Sequence, residues 1–240
     1  MIVNDATMKE FSAGLSACRT LAVPYGTVEA HGPHLPLGTD TLIICEVLAA
    51  AAKRVPMAVA PPVNYGVCTS TGPHAGTIGI SPSTLRRLTA DIVGDGHAKG
   101  FRNFLLISGH GGGLHCAAMK EAAEGLLREL EGALFSALCI YDLVHDEAAR
   151  IAETENDSHA GEIETSLVMH LRPDLVKGTA AEQYPSLPKP YMVRDKVAYW
   201  PGAVWGDPSK ASAEKGERLF SVMVGKVAAL VEGFEGVDPR

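Results

Sequence analysis

The sequence has no long apolar run and no cluster of basic residues. The alanines at 49–52 are followed by Lys53 and Arg54, which excludes a membrane-spanning helix of about 20 apolar residues there. The formal net charge is -7, whereas a general nucleic-acid binder needs basic patches that neutralise phosphates. Residues 1–10 carry acids and no apolar core, so we expect no signal peptide. We therefore expect neither a nucleic-acid nor a membrane partner.

Paired cysteines are also absent. The chain has five cysteines, an odd number, and none of them form a CxxC pair: Cys18, Cys45, Cys68, Cys116 and Cys139. We interpret them as reduced thiols and expect a cytoplasmic location. A nucleophilic role for Cys68 is the less favoured alternative.

Short apolar runs of β type alternate with longer amphipathic patterns. We predict strands at 20–24, 57–63, 103–107 and 133–141, and helices at 40–54, 81–99, 114–130, 161–171 and 212–234. Residues 173–208 are rich in proline and glycine and are predicted to be irregular. This order predicts βαβ units and a mainly parallel sheet with helices on both faces. Because no change in composition marks a linker, we expect a single layered α/β domain over residues 1–240.

A first acid–imidazole cluster follows the first predicted strand. Glu29 and His31 are two residues apart, so an extended backbone presents both side chains on one side. Asp40 lies at the start of a predicted helix, whose dipole favours an ionised carboxylate that can bridge two cations. The alternative is an ordinary loop in which Asp40 only caps the helix. The glycines at 26, 32 and 38 among these polar groups favour the metal-binding interpretation.

A second cluster is the glycine loop around His110, which has glycine at 109 and at 111–113. Glycine allows the backbone to approach a ligand closely. A phosphate cradle at the start of the next helix is one alternative, but the loop fits neither GxGxxG nor the Walker pattern. An imidazole at its centre suits a cation better. A tight turn with an incidental histidine is the other alternative.

A third cluster contains His159 and Glu164, which lie just before and within the first turn of a predicted helix. Both could face the crevice beyond the strand ends, where ligands bind in such sheets. Glu162 is expected to be solvated. His74 is expected to be a surface or packing residue, with pocket lining as the alternative.

Together the three clusters supply imidazoles and several carboxylates. This mixture suits one or two divalent ions such as Zn²⁺, Mn²⁺ or Fe²⁺. A metal site with several carboxylates indicates a hydrolytic site more readily than a structural metal site.

The motifs resemble those of the creatininase (creatinine amidohydrolase) family. The matching segments are residues 23–41, 107–113 and 158–166, with a weaker match at 65–81. The resemblance implies a single-domain βαβ-layered fold and a dinuclear metal site. It also implies hydrolysis of non-peptide or cyclic amide C–N bonds in a small molecule, and a homo-oligomer, with a hexamer among the expected states.

The resemblance also implies roles for individual residues. It makes Glu29, His31, Asp40 and His110 metal ligands, with Asp40 bridging. It makes His159 the catalytic acid and base, while Glu164 is either a ligand or a supporting catalytic group.

Two departures from creatininase proper bear on the substrate. A glutamate that binds the second metal there is replaced by Gly112, so either Glu164 substitutes or the second site is weak or absent. In addition, creatininase closes over its substrate with tryptophans, whereas Trp200 and Trp205 lie outside the matching motifs. The glycine loop resembles more closely that of a deformylase acting on a ribosylaminopyrimidine in flavin and deazaflavin synthesis.

These observations lead to one principal hypothesis and several rivals. The principal hypothesis is amide hydrolysis by a metal-activated water, with His159 protonating the departing nitrogen. One rival is another metal enzyme on the same scaffold, such as the deformylase or a peptidase of a modified peptide. The others are a nucleotide-binding protein that uses the glycine loop and a family member with a degenerate metal site.

Overall fold

Four parallel strands form the central sheet of the computed structural model, which describes residues 1–239. In chain order the strands are β1 (Thr20–Tyr25), β2 (Ala58–Val59), β3 (Asn103–Ser108) and β4 (Leu134–Cys139). They lie side by side in the order β2-β1-β3-β4, and each neighbouring pair is parallel. All four carboxyl ends therefore meet at one edge of the sheet.

Helices cover both faces of this sheet. Within the described residues they are α1 (Met8–Leu15), α2 (Thr39–Ala51), α3 (Pro82–Lys99), α4 (Gly113–Glu129), α5 (Ile140–Ile151), α6 (Glu162–Leu171) and α7 (Ala213–Gly233). None of these helices is long and apolar enough to cross a membrane. The expected α/β fold with a parallel sheet and helices on both sides is confirmed.

Alternate side chains of β3 enter two separate cores. Leu105 and Ile107 pack against α2, α5, α6 and α7 on one face, whereas Phe104 and Leu106 pack against α3 and α4 on the other. Successive side chains of a strand point to opposite faces, and a parallel strand buried on both reads as a continuous apolar run. Both features explain why this strand was predictable.

The predicted helices are confirmed to within about one turn, but two predicted strands are shorter than expected. The strand predicted at 57–63 ends at Val59, because Pro61 and Pro62 lack the N–H groups that a ladder needs. Beyond these prolines, the backbone of Val63 pairs with that of Tyr25 in an isolated parallel bridge. The strand predicted at 133–141 ends at Cys139, and α5 begins at the next residue.

The sequence analysis missed two helices, α1 and α5. Helix α1 is held at its start by a capping box, in which the Thr7 side chain accepts from the Glu10 N–H while the Glu10 carboxylate accepts from the Thr7 N–H. This Thr-x-x-Glu signal was available in the sequence. The segment predicted as irregular, residues 173–208, is confirmed, apart from a short 3-10 turn at each end.

Candidate metal centre and cavity

The carboxyl ends of the strands bring the three clusters together. Glu29 and His31 follow β1, Asp40 lies in the first turn of α2, His110 follows β3 and Glu164 lies in the first turn of α6. All five side chains are buried. Their ligand atoms form close groups that could hold metal ions, although these residues are far apart in the sequence.

The first such group contains His31, Asp40 and Glu164. Nδ1 of His31 donates to the backbone carbonyl of Glu29 at 3.0 Å, which turns its other nitrogen, Nε2, towards the carboxylates. That nitrogen lies 3.1 Å from Oδ1 of Asp40 and 3.7 Å from Oε2 of Glu164. Ligands about 2.0 Å from a tetrahedral ion lie about 3.3 Å apart, so these separations fit a shared cation.

The second group is built around His110. Its Nε2 donates to the carbonyl of Val67 at 3.3 Å. Its Nδ1 lies 2.7 Å from Oε2 of Glu29 and 3.3 Å from Oδ2 of Asp40. The two oxygens of Asp40 therefore face different imidazoles, which is the arrangement that a carboxylate bridging two cations requires.

Two threonine hydroxyls hold these carboxylates in place, and the sequence analysis did not identify them. Thr27 donates to Oδ2 of Asp40 and lies 3.3 Å from Oε2 of Glu29, while Thr71 donates to the other oxygen of Glu29. Hydrogen bonds of this kind fix the orientation of metal-binding groups. The sequence signal for this role was weak: Thr27 lies two residues before Glu29.

The electrostatics of the cluster show a need for positive charge. Burial opposes ionisation of His31, but Asp40 and Glu164 raise its pKa to about 10. Burial also raises the pKa of Glu164 to about 7, against the effect of His31. No Lys or Arg among the described residues pairs with Glu29, Asp40 or Glu164. Buried carboxylates without a basic partner are costly, so this donor set fits divalent cations.

His159 lies beside the first group. Its Nε2 donates to the carbonyl of Ala30 at 2.8 Å, and its ring centroid is 4.2 Å from that of His31. Burial, followed by the charge of His31, lowers the pKa of His159 to about 4. The imidazole is thus neutral at neutral pH and can accept a proton. Its ligand atom also groups with those of Glu29 and His31, so the geometry alone is compatible with a ligand role.

Helix α6 is positioned by its own N-terminal contacts. The Asp157 carboxylate accepts from the N–H groups of Glu162 and Ile163 at 2.7 and 3.0 Å. The N–H of Ala160 donates to Oε2 of Glu164 at 2.6 Å. Carboxylates that accept hydrogen bonds from backbone N–H groups are favoured at the start of a helix.

The expectation that Glu162 is solvated is wrong. Its side chain is fully buried, with Nζ of Lys215 2.6 Å from Oε1. It also accepts from the N–H groups of Glu153 and Thr154. These contacts tie α6 to α7, which supplies Lys215 from a distant part of the sequence.

A cavity of about 940 Å³ opens onto the cluster. Its wall includes Trp200 and Trp205, which reach the site from the end of the irregular segment. The ring centroid of Trp200 lies 5.3 Å from that of His159, and the backbone of Trp205 pairs with that of His159. His74 is buried and donates to the carbonyl of Trp200 at 2.6 Å, in agreement with its expected packing role.

The glycine loop packs closely against the start of α2. A Cβ at Gly109 would lie 2.2 Å from the backbone oxygen of Asp40, so a side chain there would separate the loop from α2. His110 faces two carboxylates, which would repel a phosphate. The geometry therefore favours the cation-binding interpretation over the phosphate cradle.

The family model for creatininase, creatinine amidohydrolase, matches residues 4–231. The mycofactocin precursor peptide peptidase of Mycobacterium ulcerans is 34% identical over 85% of this chain and 81% of that protein. The creatinine amidohydrolase of Pseudomonas putida is 29% identical over 95% of each.

Solved structures agree with this match. A crystal structure of creatinine amidohydrolase has a TM-score of 0.88 at 28% identity, covering 98% of this chain and 97% of that one. Other solved creatininases include a manganese form and a Zn-Zn type variant. The family match over nearly the whole chain, together with the shared fold, establishes that this protein is an amidohydrolase of the creatininase family.

Proposed function

We propose that the protein hydrolyses an amide C–N bond with two divalent cations. His31, Asp40 and Glu164 would hold one cation, and Glu29, Asp40 and His110 the other. The observation that carries this proposal is the division of the Asp40 oxygens, 3.1 Å from His31 on one side and 3.3 Å from His110 on the other. A single carboxylate between two oriented imidazoles suits a two-metal site.

When bound, the cations supply Lewis acidity that polarises the amide carbonyl and lowers the pKa of water. The chain supplies the positioning and the proton transfers. His159 borders the cavity, and its Nε2 donates to the carbonyl of Ala30, so its Nδ1 is proposed to accept a proton from the attacking water and deliver it to the departing nitrogen. Glu164, at the start of α6, is proposed to combine a ligand role with support of that transfer.

The substrate is proposed to be uncharged or cationic near the cluster. Besides the cluster itself, the cavity wall includes four acidic residues and no Lys or Arg among the described residues; the acids are Asp142, Glu153, Glu155 and Asp157. Such a wall repels phosphates and other anions. This disfavours the nucleotide-binding alternative, and a small non-peptide amide remains the first predicted substrate class.

A second substrate class, a short peptide, is favoured by two observations. A cavity of about 940 Å³ is large for a single small ring and is near the upper end of typical ligand pockets. Relatives at 32–34% identity are precursor peptide peptidases. An amide near one end of a peptide would place the remaining residues along this cavity.

Three finer properties stay predictions. The His and carboxylate donors fit Zn²⁺, Mn²⁺ or Fe²⁺, and the manganese and Zn-Zn forms among solved creatininases support the first two. A homo-oligomer, with a hexamer among its states, and a cytoplasmic location are predicted from the resemblance and from the unpaired cysteines. Size-exclusion chromatography with light scattering would test the assembly.

A substrate panel tests the proposal. Protein treated with EDTA, and then reloaded with Zn²⁺ or Mn²⁺, would be assayed against creatinine, an N-formylated aminopyrimidine and short peptides. Hydrolysis of at least one amide that disappears with EDTA and returns with metal supports the proposal. Formate release would identify a deformylase, and newly formed amino groups a peptidase. Hydrolysis that persists in metal-free protein would overturn the proposed mechanism.

A further inference from the structure

Cys68 lies at the second metal position, outside the set of ligands that the motifs predict. Its Sγ, a carboxylate oxygen of Glu29 and a ring nitrogen of His110 all lie within 4.8 Å of one another. The sulfur is half-buried, and it contacts the carbonyl of Gly66 at 3.9 Å, which is long even for sulfur. Among residues 1–239 it therefore has no strong partner that would compete with a cation.

The segment that carries Cys68 also orients His110. The carbonyl of the preceding residue, Val67, accepts from Nε2 of His110 at 3.3 Å. One short stretch of backbone thus fixes the histidine through its far nitrogen and places a sulfur beside the same ring.

The glycine loop offers no further side chain to the second position, because the residue two after His110 is Gly112. A Cβ at Gly112 would lie 2.3 Å from Nε2 of His110, so no side chain can enter from the glycine loop without moving the histidine. Cys68, by contrast, already lies within 4.8 Å of the ligand atoms of Glu29 and His110. Together with Glu29, His110 and the shared Asp40, the sulfur would complete four protein donors, the number that a tetrahedral ion takes.

A nucleophilic role for Cys68 fits the surroundings poorly. Burial and the negative charges of Glu29 and Asp40 raise the pKa of the Cys68 thiol, which therefore stays protonated beside these anions. Reactive cysteines lie in electropositive surroundings instead. A divalent cation at this position would reverse the local charge, since a coordinating thiol is deprotonated outright.

We propose that Cys68 is a ligand of the cation held by Glu29 and His110. This inference rests on the proposed function, because it assumes that the cluster binds divalent ions. A thiolate makes this position softer than an all-nitrogen and oxygen site, which favours Zn²⁺, Fe²⁺ or Co²⁺ over Mn²⁺. The two positions would then differ in metal preference, with the sulfur at one of them.

Cobalt substitution tests the proposal by spectroscopy rather than by activity. Chelated full-length protein would be titrated with Co²⁺ and its absorption recorded. We expect a near-ultraviolet sulfur-to-cobalt charge-transfer band in the wild type and its loss in Cys68→Ser. The visible bands of cobalt at the His31 position should remain in both proteins, which shows that the variant is folded and metallated.

Cys116→Ser is the matched control. Cys116 lines the cavity and contacts the backbone oxygen of His110, but it belongs to none of the candidate metal groups found among the described residues. Its replacement should leave the charge-transfer band intact. Visible cobalt bands without a charge-transfer band in the wild type, or a band that persists in Cys68→Ser, would overturn the inference alone. Absence of any bound cobalt would overturn the metal site itself.

Thiol labelling gives a second readout that needs no variant. Alkylation followed by peptide mass spectrometry would compare metal-free protein with protein loaded with Zn²⁺. We expect Zn²⁺ to slow the alkylation of Cys68 at least tenfold and to leave Cys45 unchanged. Equal labelling of Cys68 with and without bound Zn²⁺ would contradict a ligand role.

Discussion

Nε2 of His31 lies 3.1 Å from Oδ1 of Asp40, and the other oxygen of that carboxylate faces His110. This relationship joins the first two motifs into one centre. It also makes Asp40 the single residue on which both proposed metal positions depend.

Thr27 should be needed to hold the shared carboxylate. Its hydroxyl donates to Asp40 and lies 3.3 Å from Glu29, so Thr27→Val leaves both carboxylates less oriented at nearly constant volume. We expect metal affinity to fall by about 10–100-fold. Competition against a fluorescent zinc chelator measures this loss, and Thr84→Val on the exposed start of α3 is a control that should change nothing. Unchanged affinity in Thr27→Val would contradict the proposed role.

Gly112 should tolerate no side chain. In Gly112→Ala the new Cβ would lie 2.3 Å from Nε2 of His110, so the imidazole must shift from its position between Val67 and Glu29. We expect loss of metal from the second position while the first remains filled. Gly113→Ala is a matched control, since a Cβ there meets nothing within 4 Å. Equal metal content in the two variants, measured by mass spectrometry of the bound metals, would show that the crowding is unimportant.

Removal of His159 should separate catalysis from metal binding. Its Nε2 is engaged by the carbonyl of Ala30, which leaves the other nitrogen for proton transfer. We expect His159→Ala to reduce kcat by about 10²–10⁴-fold with metal content unchanged. His145→Ala, an exposed histidine that also lines the cavity, should retain activity. Loss of metal together with activity in His159→Ala would instead make His159 a ligand.

The pair between the buried Glu162 and the partly buried Lys215 should support the fold. The Glu162→Ala variant leaves Nζ of Lys215 and two N–H groups without their buried acceptor, so we expect a loss of about 3 kcal/mol in the free energy of unfolding. Glu153→Ala is the control, because this exposed acid contacts the same Nζ and should cost at most about 1 kcal/mol. Urea denaturation measures the free energy of unfolding of both variants. Similar losses in the two would contradict the larger contribution expected of Glu162.

The parts of the site that were predictable from the sequence share a local signal. Three of these residues follow apolar strands, and two lie at helix starts: Glu29, His31 and His110, and Asp40 and Glu164. Because parallel strands end at the same edge of a sheet, the sequence predicts that these side chains lie close together. The spacing of these motifs also carried the family resemblance. Local patterns of this kind do not depend on distant residues.

The remaining features depend on contacts between distant segments. Trp200 and Trp205 reach the cavity from an irregular stretch without periodicity, and Glu162 is buried because Lys215 comes from another helix. Cys68 approaches His110 through a loop that has no regular structure. Neither periodicity nor spacing encodes such pairings, so the sequence analysis placed these residues outside the site or in solvent.

Metal content tests the central claim most directly. Protein purified without chelator or affinity-tag metal would be analysed by inductively coupled plasma mass spectrometry as wild type, Asp40→Asn and Glu164→Ala. If two metal positions share Asp40, the wild type should hold near two ions per chain, Glu164→Ala about one and Asp40→Asn less than one. One ion or fewer in the wild type, or a full complement in Asp40→Asn, would contradict a centre bridged by Asp40.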